Sequence, residues 1–194
     1  MPTIQIPETL PKVFAMSTPA HLMRKLWWEI GRLEKTLQTE RNAFDGHLTA
    51  AYQAFNCAVT AWHMVDRVWE SSSPELRSEI GSDMGINVEN RGEFLQAIRT
   101  SCRAMSYCRE IATGSKHKVV RRHADPNVVA ALDWWYEDAT VESSVDDPIS
   151  THRWALKVYD GNDSLEALAV FREAFKFWQR FLERWGFIEP HFIG

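Results

Sequence analysis

Cysteine is scarce in this sequence, and what there is does not pair by pattern. Cys57, Cys102 and Cys108 are odd in number and include no CxxC spacing. A disulfide framework and a zinc-ligand pattern are both excluded, leaving free thiols packed in helices of a protein from a reducing cytoplasm. No apolar run approaches the roughly 18 residues of a membrane span, so no membrane association is expected. The opening MPTIQIPETLPKVFAM carries one Lys and lacks the basic start, long apolar segment and small-residue cleavage site of a secretory signal. Repeats and low-complexity tracts are missing too. Catalytic signatures are equally thin. GSDMG and DGND lack the Lys-Ser/Thr and the strand–Gly–helix context of a phosphate loop. There is no HExxH, no EF-hand pattern and no nucleophile elbow. Asp146-Asp147 stand beside Pro148, as solvated turn residues do. The metal-dependent, triphosphatase and hydrolase classes that leave readable motifs are thereby removed, and neither a metal nor another cofactor is expected.

What remains is a chain of 194 residues, 45% hydrophobic, with nine Trp and ten Phe, enough for one domain with a bulky core. Residues 1–17, with Pro2, Pro7 and Pro11, read as an extended arm, and 18–194 as the domain. Thr18-Pro19 is a cap followed by Pro at the first helical position, opening a helix to about Gln38. Leu22, Leu26, Ile30, Leu33 and Leu37 recur there at helical spacing. A second helix over roughly 44–70 presents Tyr52, Phe55, Val59, Trp62, Val65 and Trp69 as an apolar stripe. SSSP at 71–74 starts a short helix ending near Gly81, and 85–90 reads as loop. One long helix is expected from Arg91 to about Thr113, stopped by Gly114.

Character changes after that. Residues 118–160 are rich in β-branched and aromatic side chains and read as a small antiparallel sheet, with 128–137 open to a helical alternative. The turn pair Asp160-Gly161 ends a strand, and Asp163 or Ser164 caps a last helix over 164–185. Phe171, Phe175, Trp178, Leu182 and Trp185 line one face of that helix, and Val170, Ala174, Phe177 and Phe181 the next. So wide a stripe exceeds one helix–helix contact: the helix is central to the core, or part of it is a dimer interface.

Two features could carry chemistry. In the second helix, NCAVTAWHMVDRVW interrupts its apolar face with Asn56, His63, Asp66 and Arg67. His63 lies three residues from Asp66 and four from Arg67, so these side chains are neighbours. They form either a surface stripe of ordinary ion pairs or a support for a site built by another element. The second feature is CREIATGSKHKVVRRH, residues 108–123. Five Lys and Arg against one Glu give it a local charge of +4 in a chain of net −4. A cationic patch on an anionic body selects for phosphate or carboxylate. Arg109 offers a planar fork, Lys116 a mobile point charge, and Lys118, Arg121 and Arg122 further phosphate contacts. His117, among these cations and near His123, has its neutral form favoured, as suits a general base. A helix dipole explains an Arg at position 109 by itself, but not the cations beyond the helix end.

NCAVTAWHMVDRVW on one long helix, followed by CREIATGSKH, resembles the HEPN-like superfamily (higher eukaryotes and prokaryotes nucleotide-binding). That resemblance implies a mainly α helical bundle, here with a small β insertion before the last helix. It also implies a homodimer that brings two Arg…His motifs together. In active members the pair cleaves RNA without metal: His moves a proton at the ribose 2′-OH and Arg stabilises the phosphate, leaving a 2′,3′-cyclic phosphate. Carried over, Arg109 and His117 are the catalytic pair, Glu110 the polar residue after Arg, and Lys116 an accessory cation. His63 and Asp66 would support them from the facing helix. Such an activity fits a toxin, with an antitoxin or other protein as partner, or a component of phage defence.

A rival reading is an inert module that binds a nucleotide or a protein through a dimer or partner interface. The seven residues between Arg109 and His117, the Thr at position 113 and the acidic overall charge favour it. DNA binding through 116–123 is weaker, because no recognition helix is legible there.

Overall fold

The computed structural model describes residues 16–39, 46–86, 90–114, 125–138 and 150–190. Among them the chain forms helices α1 (Pro19–Thr39), α2 (Gly46–Ser71), α3 (Pro74–Asp83), α4 (Arg91–Ser101) and α5 (Arg103–Gly114). These are followed by strands β1 (Val128–Asp138), β2 (Ser150–Asp160) and β3 (Asp163–Glu166), and then by α6 (Ala167–Arg184). The fold is mainly α, with a three-stranded antiparallel sheet of order β1-β2-β3 placed before the last helix.

The caps read from the sequence act at α1 and α3. The backbone N–H of His21 donates to Thr18 Oγ1 at 3.2 Å, and that of Leu76 to Ser73 Oγ at 3.2 Å. Asn90 and Glu93 close a reciprocal capping box on α4. Two expectations are corrected. Residues 91–113 are two helices: Cys102 is extended (φ −147°, ψ 110°), and the ladder restarts with Met105 N–H on the Cys102 carbonyl at 3.0 Å. No Gly or Pro marks that break, so local sequence carries no signal for it. The last helix starts at Ala167, because 163–166 pair with β2 as β3 after the turn at Gly161 (φ +61°). Its N-cap is Glu166, which makes no side-chain cap bond. Residues 128–138 are strand throughout, as the sheet reading expected, and the helical alternative is removed.

α2 also buries a different line from the aromatic one. Ala50, Ala54, Cys57, Ala58, Ala61, Met64, Val65 and Val68 are buried, while Tyr52 is 67% exposed and Phe55, Trp62 and Trp69 are half-buried. The helix packs against α1, α5 and α6, and small side chains let neighbouring backbones come close. The aromatic residues then fill the flanks of the seam. α6 touches α1, α2, α5 and β2, so much of its wide stripe is core. Val170, Phe171, Ala174, Trp178, Phe181 and Leu182 are buried, and Phe175, Phe177 and Trp185 pack against them. Trp178 Nε1 donates to the Ala61 carbonyl at 3.0 Å, a buried bond that ties α6 to α2. On the sheet, Trp154, Leu156 and Val158 alternate inward against the helices, as period-two strand geometry requires.

Candidate functional site

α5 is the element that positions Arg109, and its outward faces are heavily paired. Arg103, Tyr107, Glu110 and Gly114 follow one another at three- and four-residue spacing, so they share a side of the helix. Arg103 grips Asp160 at the end of β2, donating from Nε to Oδ2 at 2.9 Å and from Nη2 to Oδ1 at 2.7 Å. The same guanidinium reaches Asp125 at 2.9 Å, ahead of β1. The Tyr107 hydroxyl donates to Asp160 Oδ2 at 2.7 Å. One face of α5 thus pins the end of the hairpin where β1 begins and β2 finishes.

One turn further on, Glu110 accepts from Arg109 Nη1 at 2.5 Å and faces Arg99 Nη2 from α4 at 3.7 Å. These side chains are mostly out of water: Arg109 is 12% exposed, Glu110 9% and Arg99 14%. Arg99 also bonds Ser106 Oγ at 3.4 Å and Gln96 Oε1 at 3.3 Å. Burial, and then the neighbouring positive Arg109, pull the Arg99 guanidinium below its ordinary value, while Glu110 opposes the shift. Arg109 is therefore held by an internal carboxylate, beside a second cation that shares it.

A groove of about 430 Å³ opens beside this network, lined by Glu110, Ile111, Gly114, Asp125, Pro126 and Val128–Ala130. Its two carboxylates are the ones already engaged by Arg99, Arg103 and Arg109. The expected partners of Arg109, namely Lys116, His117, Lys118, Arg121 and Arg122, together with His123, lie outside the described residues. The stretch that contains them leaves at Gly114 and returns at Asp125, both of which border the groove.

His63 and Asp66 belong to a different place. With Arg67, Glu70, Thr60 and Lys25 they line a groove of about 390 Å³ between α1 and α2, whose described lining includes no α5 residue. Asp66 is taken by Arg91 of α4, which donates from Nε at 2.9 Å, and His63 stands exposed at the rim. Lys25 is drawn inward by Glu29 and by Thr60 Oγ1, the latter at 2.5 Å. Two of the polar residues of α2 thus enter ion-pair and groove-rim roles, and none is brought to Arg109 by the described geometry.

The remaining chemistry-bearing groups are quiet. Burial pushes the Cys57 and Cys108 thiols far up, and for Cys57 the nearby Glu29 adds to this, so neither supplies a thiolate nucleophile. No cluster of three His, Cys, Asp or Glu suited to a metal occurs among the described residues. No described helix is long and apolar enough to cross a membrane. The sequence reading gave no role to Trp27 and Trp28, yet the structure leaves them 52% and 55% exposed on α1. Their signal was available: they fall off the Leu26–Ile30–Leu33 line that packs inward.

Asp160 gives the network a pH signature. Hydrogen bonds from Arg103, and then from Tyr107, hold its carboxyl below the usual carboxylate range. The folded value being lower than the unfolded one, this contribution is present above about pH 4 and fades as pH falls toward the folded value. Asp160→Asn should therefore be less stable than wild type at pH 7, with the gap narrowing at pH 3. Urea melts of both proteins at the two pH values test this, and an equal gap at both would remove the assigned role.

Comparison of the chain with family models, with curated proteins and with solved structures found no match.

Proposed function

We propose that this is an HEPN-like RNA-binding protein whose phosphate contacts come from the cation-rich connection between α5 and β1. One observation carries the reading. The two carboxylates lining the groove at the root of that connection are already paired with Arg99, Arg103 and Arg109. Their charge is shared with those arginines, and the stretch from 115 to 124 that carries Lys116, Lys118, Arg121 and Arg122 contains no acid of its own. An acid-free cationic segment rooted in an internally compensated wall is suited to a polyanion. The resemblance of NCAVTAWHMVDRVW and CREIATGSKH to the superfamily points to RNA as that polyanion.

The narrower reading, metal-independent cleavage by Arg109 and His117, asks Arg109 to serve a scissile phosphate while Glu110 holds it at 2.5 Å. That geometry favours binding without cleavage. Labelled RNA in EDTA tests both. Replacing Lys116, Lys118, Arg121 and Arg122 together by Ala should weaken binding and flatten the slope of log affinity against log salt by about three, at about 0.7 per lost contact. An unchanged slope would remove the connection as the binding element. Under this reading wild type, Arg109→Ala and His117→Ala share the same background cleavage, and wild-type cleavage lost in both variants would restore the nuclease.

A further inference from the structure

The outward face of α1 is a second cationic surface, unlike the rest of this acidic chain. From His21 to the end of the helix its most exposed positions are cationic, aromatic or small polar residues, and the carboxylate at their border, Glu34, is partly exposed but paired with Arg172. Arg24, Trp27, Trp28, Gly31, Arg32 and Lys35 follow one another there at three-, four- and seven-residue intervals, which is a single stripe along the axis. The carboxylates elsewhere on α1 are turned away or engaged: Glu29 is buried, and Glu34 is held by Arg172 of α6 at 2.5 Å. The apolar side chains of the helix, Met23, Leu26, Ile30 and Leu33, face the core.

Geometry at the two indoles adds detail. The Arg32 guanidinium lies 5.0 Å from the centroid of the Trp28 ring, which leaves the opposite ring face without that cation. Gly31 stands one turn from both Trp27 and Trp28, and a Cβ built there would meet nothing within 4 Å. Glycine is the costliest helix-interior residue after proline, and Gly31 has no left-handed backbone to require it. Its effect is a notch open to solvent beside two aromatic rings.

We propose that this face is a stacking platform for a single strand of nucleic acid. Bases stack on Trp27 and Trp28 at the Gly31 notch, and phosphates meet Arg32 and Lys35. Trp28 and Lys35 are about 10 Å apart along the axis, so a short run of extended strand covers them. Flat aromatic rings interleaved with cations match the two things every single strand offers, a π-face and a phosphate. A membrane surface fits less well. An interfacial helix buries an apolar face in the lipid, and the apolar face of α1 is already used by the core. The inference rests on the RNA-binding reading for the identity of the strand, but it uses a different surface.

Binding of a fluorescein-labelled oligouridylate to the full chain tests it, with the charge variant of residues 116–122 run in parallel. Trp27→Ala/Trp28→Ala should bind about tenfold more weakly, from lost stacking, with little change in salt slope. Arg32→Gln/Lys35→Gln should flatten that slope by about 1.4. Gly31→Leu should weaken binding by filling the notch. If all three α1 variants bind like wild type while the 116–122 variant does not, the platform falls and the RNA-binding reading stands. Absence of wild-type binding to any RNA removes both. Wild-type binding to phosphatidylserine vesicles that is lost in Trp27→Ala/Trp28→Ala, with RNA binding unchanged, overturns the platform in favour of a lipid surface.

Discussion

Glu110→Gln is expected to destabilise the protein by about 3 kcal/mol or more, lowering the melting temperature by about 10 °C for a chain of this length. The magnitude follows from what stays behind. Removing the carboxylate charge leaves Arg99 and Arg109, 14% and 12% exposed, as two guanidinium groups in one poorly solvated place. Arg99 is already shifted downward by burial and by Arg109 with Glu110 present. Like charges in a medium less polarisable than water repel strongly, and both side chains are largely withdrawn from solvent. Urea melts at neutral pH read the loss directly. A change below about 1 kcal/mol would mean that Glu110 is an ordinary surface partner, and Arg109 would then be open to a phosphate after all. The same experiment thus reports on fold and function together.

Trp178→Ala should cost about 3–5 kcal/mol, the range for emptying a fully buried aromatic site. Trp178 is 0% exposed, packs edge-on against Phe181 at 5.5 Å between centroids, and donates to the Ala61 carbonyl. Truncation leaves a cavity at the crossing of α6 and α2. Trp178→Phe separates packing from polarity: it keeps most of the ring volume but loses the indole donor, and should cost about 1–2 kcal/mol. Differential scanning calorimetry of the three proteins checks the order. Equal losses in both variants would place the effect in the hydrogen bond and not in the packing. Because α2 also packs against α1 and α5, a loosened α2–α6 crossing should disturb both cationic surfaces.

Much of this was legible in the residues themselves. Thr18-Pro19, Ser73-Pro74 and the turn at Gly161 punctuate the chain by local backbone chemistry, and those boundaries stand. The alternation of Trp154, Leu156 and Val158 reads as strand for the same reason. The break at Cys102 was not legible, since no residue there forbids a helix. Nor was the inward line of α2, where bulk alone pointed to Tyr52, Phe55 and Trp62 and the close approach of neighbouring helices selected alanines. At the candidate site the clustering of cations was visible in CREIATGSKHKVVRRH, but the capture of Arg109 by Glu110 was not. Side chains one position apart diverge on a helix, so adjacency in sequence does not announce such a pair.

Sequence by itself determined where α1 and α3 begin, that a strand runs through Trp154, Leu156 and Val158 to a turn at Gly161, and that positive charge gathers beyond residue 108 in an acidic chain. Each of these depends only on neighbours a few positions away. Tertiary structure decided which arginines meet which carboxylates. Arg103 finds Asp160, Arg91 finds Asp66 and Arg172 finds Glu34 across separations that no local rule reads. Charge acts through space, so its balance at any point is known only once the chain has folded.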